Sequence, residues 1–265
     1  VFDRFQRRID YLRISVTDKC NLRCVYCMPA EGVPPLSHDD LLTFEEIVAF
    51  TRAAVAGGIT KVRLTGGEPL VRRGIVDLVR MLAEIEGIAD LAMTTNGIRL
   101  PALAASLAAA GLQRVNISLD ATDPKRYAAI TRGGDVRQVL AGIAAAREAG
   151  LRPIKLNCVI ADSPEEPDAR DVAAFAREVG CEIRFVRRMD LATGRFHQVI
   201  GGAGGDCRRC NRLRLTCDGR LRPCLFDDLE FDVRALGAEA ALRRAVSAKP
   251  AAGSRSVACM KAIGG

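Results

Sequence analysis

Between Asp18 and Pro29 the chain reads DKCNLRCVYCMP, which sets Cys20, Cys24 and Cys27 at a C-x-x-x-C-x-x-C spacing. Thiolates at such spacing bind soft metals or carry redox chemistry. A structural zinc closes with four protein ligands, so this trio is one short, and the only histidines, His38 and His197, are not near it in sequence. Dithiol redox use of Cys24 and Cys27 would leave Cys20 idle. Iron-sulfur ligation occupies all three and leaves one iron without a protein ligand, open to a substrate. A second group, Cys207, Cys210 and Cys224, lies in CRRCNRLRLTCDGRLRPC. Cys217 supplies a further sulfur there, so zinc stays open as a reading of that segment.

The chain has 265 residues, 49% of them hydrophobic, enough to bury a full core. Its start, VFDRFQRRID, is charged where a secretory signal is apolar, and no stretch of membrane-spanning length is uninterrupted by polar residues. Ten cysteines in such a chain point to metal or redox chemistry rather than structural disulfides, and to the cytoplasm as the expected location. The formal charge of +7 favours an anionic partner. With 5% aromatics and no Trp, stacking platforms for nucleic-acid bases are scarce, so a polyphosphorylated small molecule fits better than nucleic acid.

Six short β-branched runs, YLRISVT, KVRLT, LAMTT, RVNISL, IKLNCVI and EIRFVRRM, alternate with segments of helical period. Thr43 with Glu46 forms a capping box, Pro101 suits a first helical turn, and Gly87, Gly111, Gly150 and Gly180 fall where helices should stop. Six strand-helix repeats predict an α/β fold with a parallel sheet, either doubly wound or a partial (β/α)6 TIM-like barrel, with chemistry on the loops after the strand C-termini. The rhythm breaks after Met189. We divide the chain into a barrel at 1–190, a Gly-rich connection at 191–206 and an auxiliary segment with the C-terminal tail at 207–265.

The cysteine motif with Tyr26 before its last member, GGEP at 66–69, TTNG at 94–97 and SLD at 118–120 together resemble the radical S-adenosylmethionine superfamily. In that superfamily the open iron chelates S-adenosylmethionine, which one electron cleaves to methionine and a 5′-deoxyadenosyl radical. CNRLRLT-x-DG-x-LRPCLF, DRF, YLRISVTDKCN and the final Gly-Gly further resemble the molybdenum-cofactor biosynthesis protein A family, the GTP 3′,8-cyclases. The resemblance implies a [4Fe-4S] cluster on Cys20, Cys24 and Cys27 and a second on Cys207, Cys210 and Cys224. It implies S-adenosylmethionine contacts at Tyr26, Gly66, Gly67, Glu68, Ser118 and Met189, and GTP contacts at Arg13, Arg63, Thr94, Lys155, Arg212, Leu213 and Arg214. Arg212 and Arg214, with Gly264 and Gly265 of a tail reaching into the site, are the implied catalytic residues. The implied partners are GTP, an external one-electron reductant, a downstream cyclic pyranopterin monophosphate synthase and a second copy of the chain in a homodimer.

Guanidinium forks and an ammonium suit a triphosphate whatever the family, and alternate strand positions can aim several into one cavity. The sequence departs from the family in three places. The bridge from Met189 to Cys207 is short, Arg187 and Arg188 stand where a Glu and an aromatic are usual, and Cys217 replaces a small residue. Ligation by Cys217 would close the second open iron. Two rival readings therefore stand beside the cyclase: a two-cluster radical enzyme acting on a peptide or another nucleotide, and a metal-binding module for nucleic acid.

Overall fold

The computed structural model describes residues 1–257, so Cys259, Gly264 and Gly265 lie outside the described residues. Six strands run in chain order: β1 (Tyr11–Ser15), β2 (Lys61–Thr65), β3 (Asp90–Thr95), β4 (Arg114–Ser118), β5 (Lys155–Ile160) and β6 (Glu182–Arg187). Between them lie α1 (Phe44–Ala56), α2 (Ile75–Ala83), α3 (Leu100–Ala109), α4 (Pro124–Thr131), α5 (Val136–Glu148) and α6 (Pro167–Glu178). Local chemistry explains the helix starts. Thr43 Oγ1 accepts from the Glu46 amide at 3.1 Å while Glu46 Oε2 accepts from the Thr43 amide at 2.7 Å, and α3, α4 and α6 each place a proline in the first turn. Helices α3, α5 and α6 each end two residues before Gly111, Gly150 and Gly180, as the sequence predicts.

After the bridge come β7 (Arg212–Leu215), β8 (Arg220–Arg222), β9 (Phe231–Asp232), α7 (Val233–Leu236) and α8 (Ala238–Ser247). All nine strands form one sheet in the order β6-β5-β4-β3-β2-β1-β7-β8-β9. From β6 to β7 every pairing is parallel, and β8 and β9 are antiparallel. The sheet is a partial barrel left open between β6 and β9. The auxiliary segment thus continues the barrel wall beside β1, and α8 packs on α1. The Gly-rich connection is bonded along β6: Phe185 and Ile200 exchange backbone hydrogen bonds at 3.0 Å, and the Phe196 ring stacks on Phe226 at 4.4 Å.

Strand alternation sorts the side chains. Leu12, Ile14, Val62, Leu64, Leu213 and Leu215 enter a single apolar core beneath the helices. Their neighbours Tyr11, Arg13, Lys61, Arg63, Arg212 and Arg214 face the concave side. Parallel register puts Arg63, Arg13 and Arg214 in one row across β2, β1 and β7, with Lys61, Tyr11 and Arg212 in the row below.

Candidate active site between two cysteine trios

The concave face encloses a cavity of about 490 Å³ whose lining includes all six cysteines of the two trios. Cys20, Cys24 and Cys27 lie on the loop after β1. Cys207 and Cys210 precede β7, and Cys224 follows the antiparallel β8, so the second trio sits at the other end of the same strands. Four residues of strand, roughly 13 Å at 3.3 Å per residue, separate the row of Tyr11 and Arg212 from the C-terminal end of β1. Between the ends stand Arg13, Arg63, Arg184, Arg212 and Arg214. Of the three carboxylates on the lining, Asp90 is paired to Arg114, Glu68 is used internally and Asp206 accepts from the Arg208 amide, against those five arginines. The cavity therefore presents positive charge.

Contacts between loops hold the first trio in place. Gly66 and Gly67 let the loop after β2 lie directly on the cysteine loop: a Cβ at Gly66 would meet the Thr17 carbonyl at 2.5 Å, and one at Gly67 the Lys19 carbonyl at 2.5 Å. Glu68, buried, accepts from the Thr95 hydroxyl (2.7 Å), the Leu70 amide (3.0 Å) and the Asn96 amide (2.7 Å), joining the loops after β2 and β3. Burial pushes its carboxyl above the ordinary value despite those donors. Tyr26 donates to Asp120 Oδ2 at 2.6 Å, and Ser118 and Met189 complete this end.

The donor set fits an iron-sulfur cluster. Burial first, then Asp120 and the neighbouring Cys27 and Cys20, push the Cys24 thiol up to about 12, so a thiolate at Cys24 needs a cationic centre beside it. At the second trio the balance differs. Burial pushes the Cys210 thiol up, but Lys249 and Arg212 outweigh it and the net shift is downward. Burial pushes Cys224 up.

Cys217 does not line the cavity. It is 1% exposed and its charged neighbours are Asp18, Asp218 and Arg72 rather than the trio, so it is a core thiol. Cys158 is likewise buried.

Among the substrate residues implied by the resemblance, Arg13, Arg63, Thr94, Arg212 and Arg214 are brought together. Arg63 donates through Nε to the Tyr11 hydroxyl and through Nη1 to Thr94 Oγ1 at 3.3 Å, and Arg212 lies over the Tyr11 ring at 5.5 Å. Burial, then Arg214, drives the Arg13 guanidinium well below its ordinary value. Burial alone would raise the Tyr11 phenol, yet Arg63, Arg13 and Arg212 pull it down. Lys155 is not on the lining; it shares the inward face one step below Asn157 and pairs with Glu182 at 2.5 Å. The Leu213 side chain is in the core, on the opposite face from its neighbours. Sequence reasoning passed over Arg184 and Asn116, which line the cavity with Arg184 Nε and Asn116 Oδ1 buried and unpartnered. The period of two gave the available signal, since Asn116 shares a face with Ser118.

Residues 14–176 match the radical SAM superfamily. The GTP 3′,8-cyclase of Moorella thermoacetica is 45% identical, with 99% of each chain covered. That of Geobacter sulfurreducens is 40% identical over 94% of this chain and 93% of its own. This chain belongs to the GTP 3′,8-cyclase family of the radical SAM superfamily. Solved structures agree on the fold: Streptococcus suis SuiB bound to S-adenosylmethionine superposes with a TM-score of 0.66 at 15% identity, over 92% of this chain and 64% of that one. Native anSMEcpe with bound AdoMet and Kp18Cys peptide gives 0.62 at 14%, over 91% and 81%. As a radical SAM protein the family member takes a [4Fe-4S] cluster and S-adenosylmethionine, and the first trio has the cysteine spacing for the cluster. The alignment to the Moorella cyclase runs over 321 positions against 265 residues here, so that relative carries residues this chain lacks. Among the described residues no helix is long and apolar enough to cross a membrane.

Proposed function

We propose that this chain is a GTP 3′,8-cyclase, converting GTP to (8S)-3′,8-cyclo-7,8-dihydroguanosine 5′-triphosphate for molybdenum cofactor synthesis. The observation that carries the reading is one arginine-lined cavity running between two cysteine trios at opposite ends of adjacent strands. Cys20, Cys24 and Cys27 hold the superfamily's cluster, with Tyr26, Gly66, Gly67, Ser118 and Met189 around S-adenosylmethionine. When bound, that pair supplies the radical that takes hydrogen from ribose carbon 3′. Cys207, Cys210 and Cys224 would hold a second [4Fe-4S] cluster, which would supply a binding site for the guanine base.

The chain's own groups bind, orient and shield. Arg13, Arg63 and Arg214, fixed in one row by strand register, neutralise the triphosphate with forked hydrogen bonds, and Thr94 fixes the Arg63 fork. Anchoring both ends of the nucleotide sets the distance between ribose carbon 3′ and guanine carbon 8, where positioning contributes most. The connection bonded to β6 and the loop at Gly202 to Gly205 line the cavity and limit water access. An external one-electron reductant and a downstream enzyme taking the cyclised nucleotide complete the reading.

Anaerobic incubation of reconstituted protein with GTP deuterated at carbon 3′, S-adenosylmethionine and reductant tests it. Deuterium in 5′-deoxyadenosine together with a cyclised guanine nucleotide is expected. Deoxyadenosine without that product, or free of deuterium, would overturn the assignment.

A further inference from the structure

Two cations that no motif announces converge on the second trio. Lys249, just past α8, is 1% exposed, and its Nζ donates to the carbonyls of Arg212 (2.7 Å) and Pro223 (2.5 Å). Arg212 follows Cys210 by two residues and Pro223 directly precedes Cys224, so one ammonium joins the two segments that carry these thiols. Burial pushes its ammonium below the ordinary value, and negative charge on Cys210 and Cys224 works against that shift. Arg7 extends the arrangement, donating to the Cys207 carbonyl at 2.7 Å and to the carbonyls of Pro250 (2.7 Å) and Ala251 (3.1 Å), immediately after Lys249. Arg7 has its own counter-ion in Asp3 at 2.6 Å, whereas no carboxylate among the described residues pairs with Lys249. Burying an ammonium without an anion is costly, and the nearest anionic groups available are the ligand sulfurs.

We infer that Lys249 is a positioning residue for the second trio, pinning the Cys210 and Cys224 segments at the spacing a cluster needs and supplying a fixed positive charge that raises the cluster's reduction potential. Hydrogen bonds and charge beside ligand sulfurs favour the reduced, more anionic state. The inference rests on reading the second trio as a cluster site.

The test uses the full-length chain with Cys20, Cys24 and Cys27 replaced by Ala, reconstituted anaerobically, so that bound iron reports on the second trio. About four irons per chain are expected in this background; their absence would sink the second-cluster reading itself. With that iron present, Lys249→Met should move the midpoint of a spectroscopically monitored redox titration to more negative potential, and Lys249→Arg should bring it back towards the parent. An unchanged midpoint in Lys249→Met would overturn the inference. Should that variant fail to fold, Lys249→Gln decides, because its amide still donates to the carbonyls but lacks the charge. A negative shift there supports the role of the ammonium, and an unshifted potential refutes it.

Discussion

The Tyr26 hydroxyl donates to Asp120 Oδ2 at 2.6 Å while Asp120 Oδ1 accepts from the Val159 amide at 2.8 Å. One buried carboxylate thereby fastens the loop of the first trio to the ends of β4 and β5. Tyr26→Phe strands Oδ2 without its donor, an expected loss of about 1–3 kcal/mol. Urea unfolding of the metal-free chain checks the stability loss, and the reconstituted variant should bind S-adenosylmethionine more weakly. Asp120→Asn should cost less, since its amide can donate back to the phenol oxygen.

Gly67→Ala meets backbone on both sides, the Lys19 carbonyl at 2.5 Å and the Asp18 carbonyl at 2.7 Å. Neither can swing aside as a side chain would, so the cysteine loop must lift. Iron analysis should find the first cluster lost or depleted while the second trio keeps its iron, because Cys207, Cys210 and Cys224 sit at the far end of the strands.

Arg13→Met should separate function from stability. Burial and the charges of Arg214, Arg63 and Arg212 already oppose the Arg13 cation, so the free chain should unfold at no lower urea concentration than the parent. The KM for GTP should rise about 10–100-fold, the value of one or two lost charge-assisted hydrogen bonds. Arg13→Lys should recover only part of this, since an ammonium does not reproduce the fork.

The capping box of α1 carries an acid-sensitive contribution. Arg234, which donates to both Glu46 oxygens, together with the Thr43 amide, holds the Glu46 carboxyl at about 2, below its ordinary 4.5. A carboxyl depressed on folding stabilises above its unfolded value and loses that contribution as pH falls from about 4.5 towards 2. Both side chains are partly exposed, so the screened contribution is about 1 kcal/mol. Urea titrations at pH 6 and pH 3 should show Glu46→Gln closing that gap relative to the parent.

Much of this was legible in residue order. The first trio's spacing, the capping box at Thr43 and the alternation of Arg13 with Leu12 and Ile14 are local signals, and each element formed where its pattern stood. Parity along a strand places a side chain on a face but not at a depth, which is why Lys155 shares the inward face yet pairs with Glu182 below the cavity. The neighbourhood of β1 and β7 has no local signature, because it joins segments some two hundred residues apart. Lys249 and Arg7 were illegible for the same reason. They address carbonyl groups of distant segments, and a lysine after a helix reads as a solvated end.

The pairing of β1 with β7 also constrains how the molecule is made. The outer edge of β1 finds its partner only when residue 215 has left the ribosome, roughly 10–40 s after β1 at usual synthesis rates. Until then YLRIS presents an uncovered strand edge of the kind that recruits other chains. Nascent protein therefore passes through an interval in which holdase chaperones have a defined strand to shield, and the last quarter of the polypeptide serves as the cover that ends it.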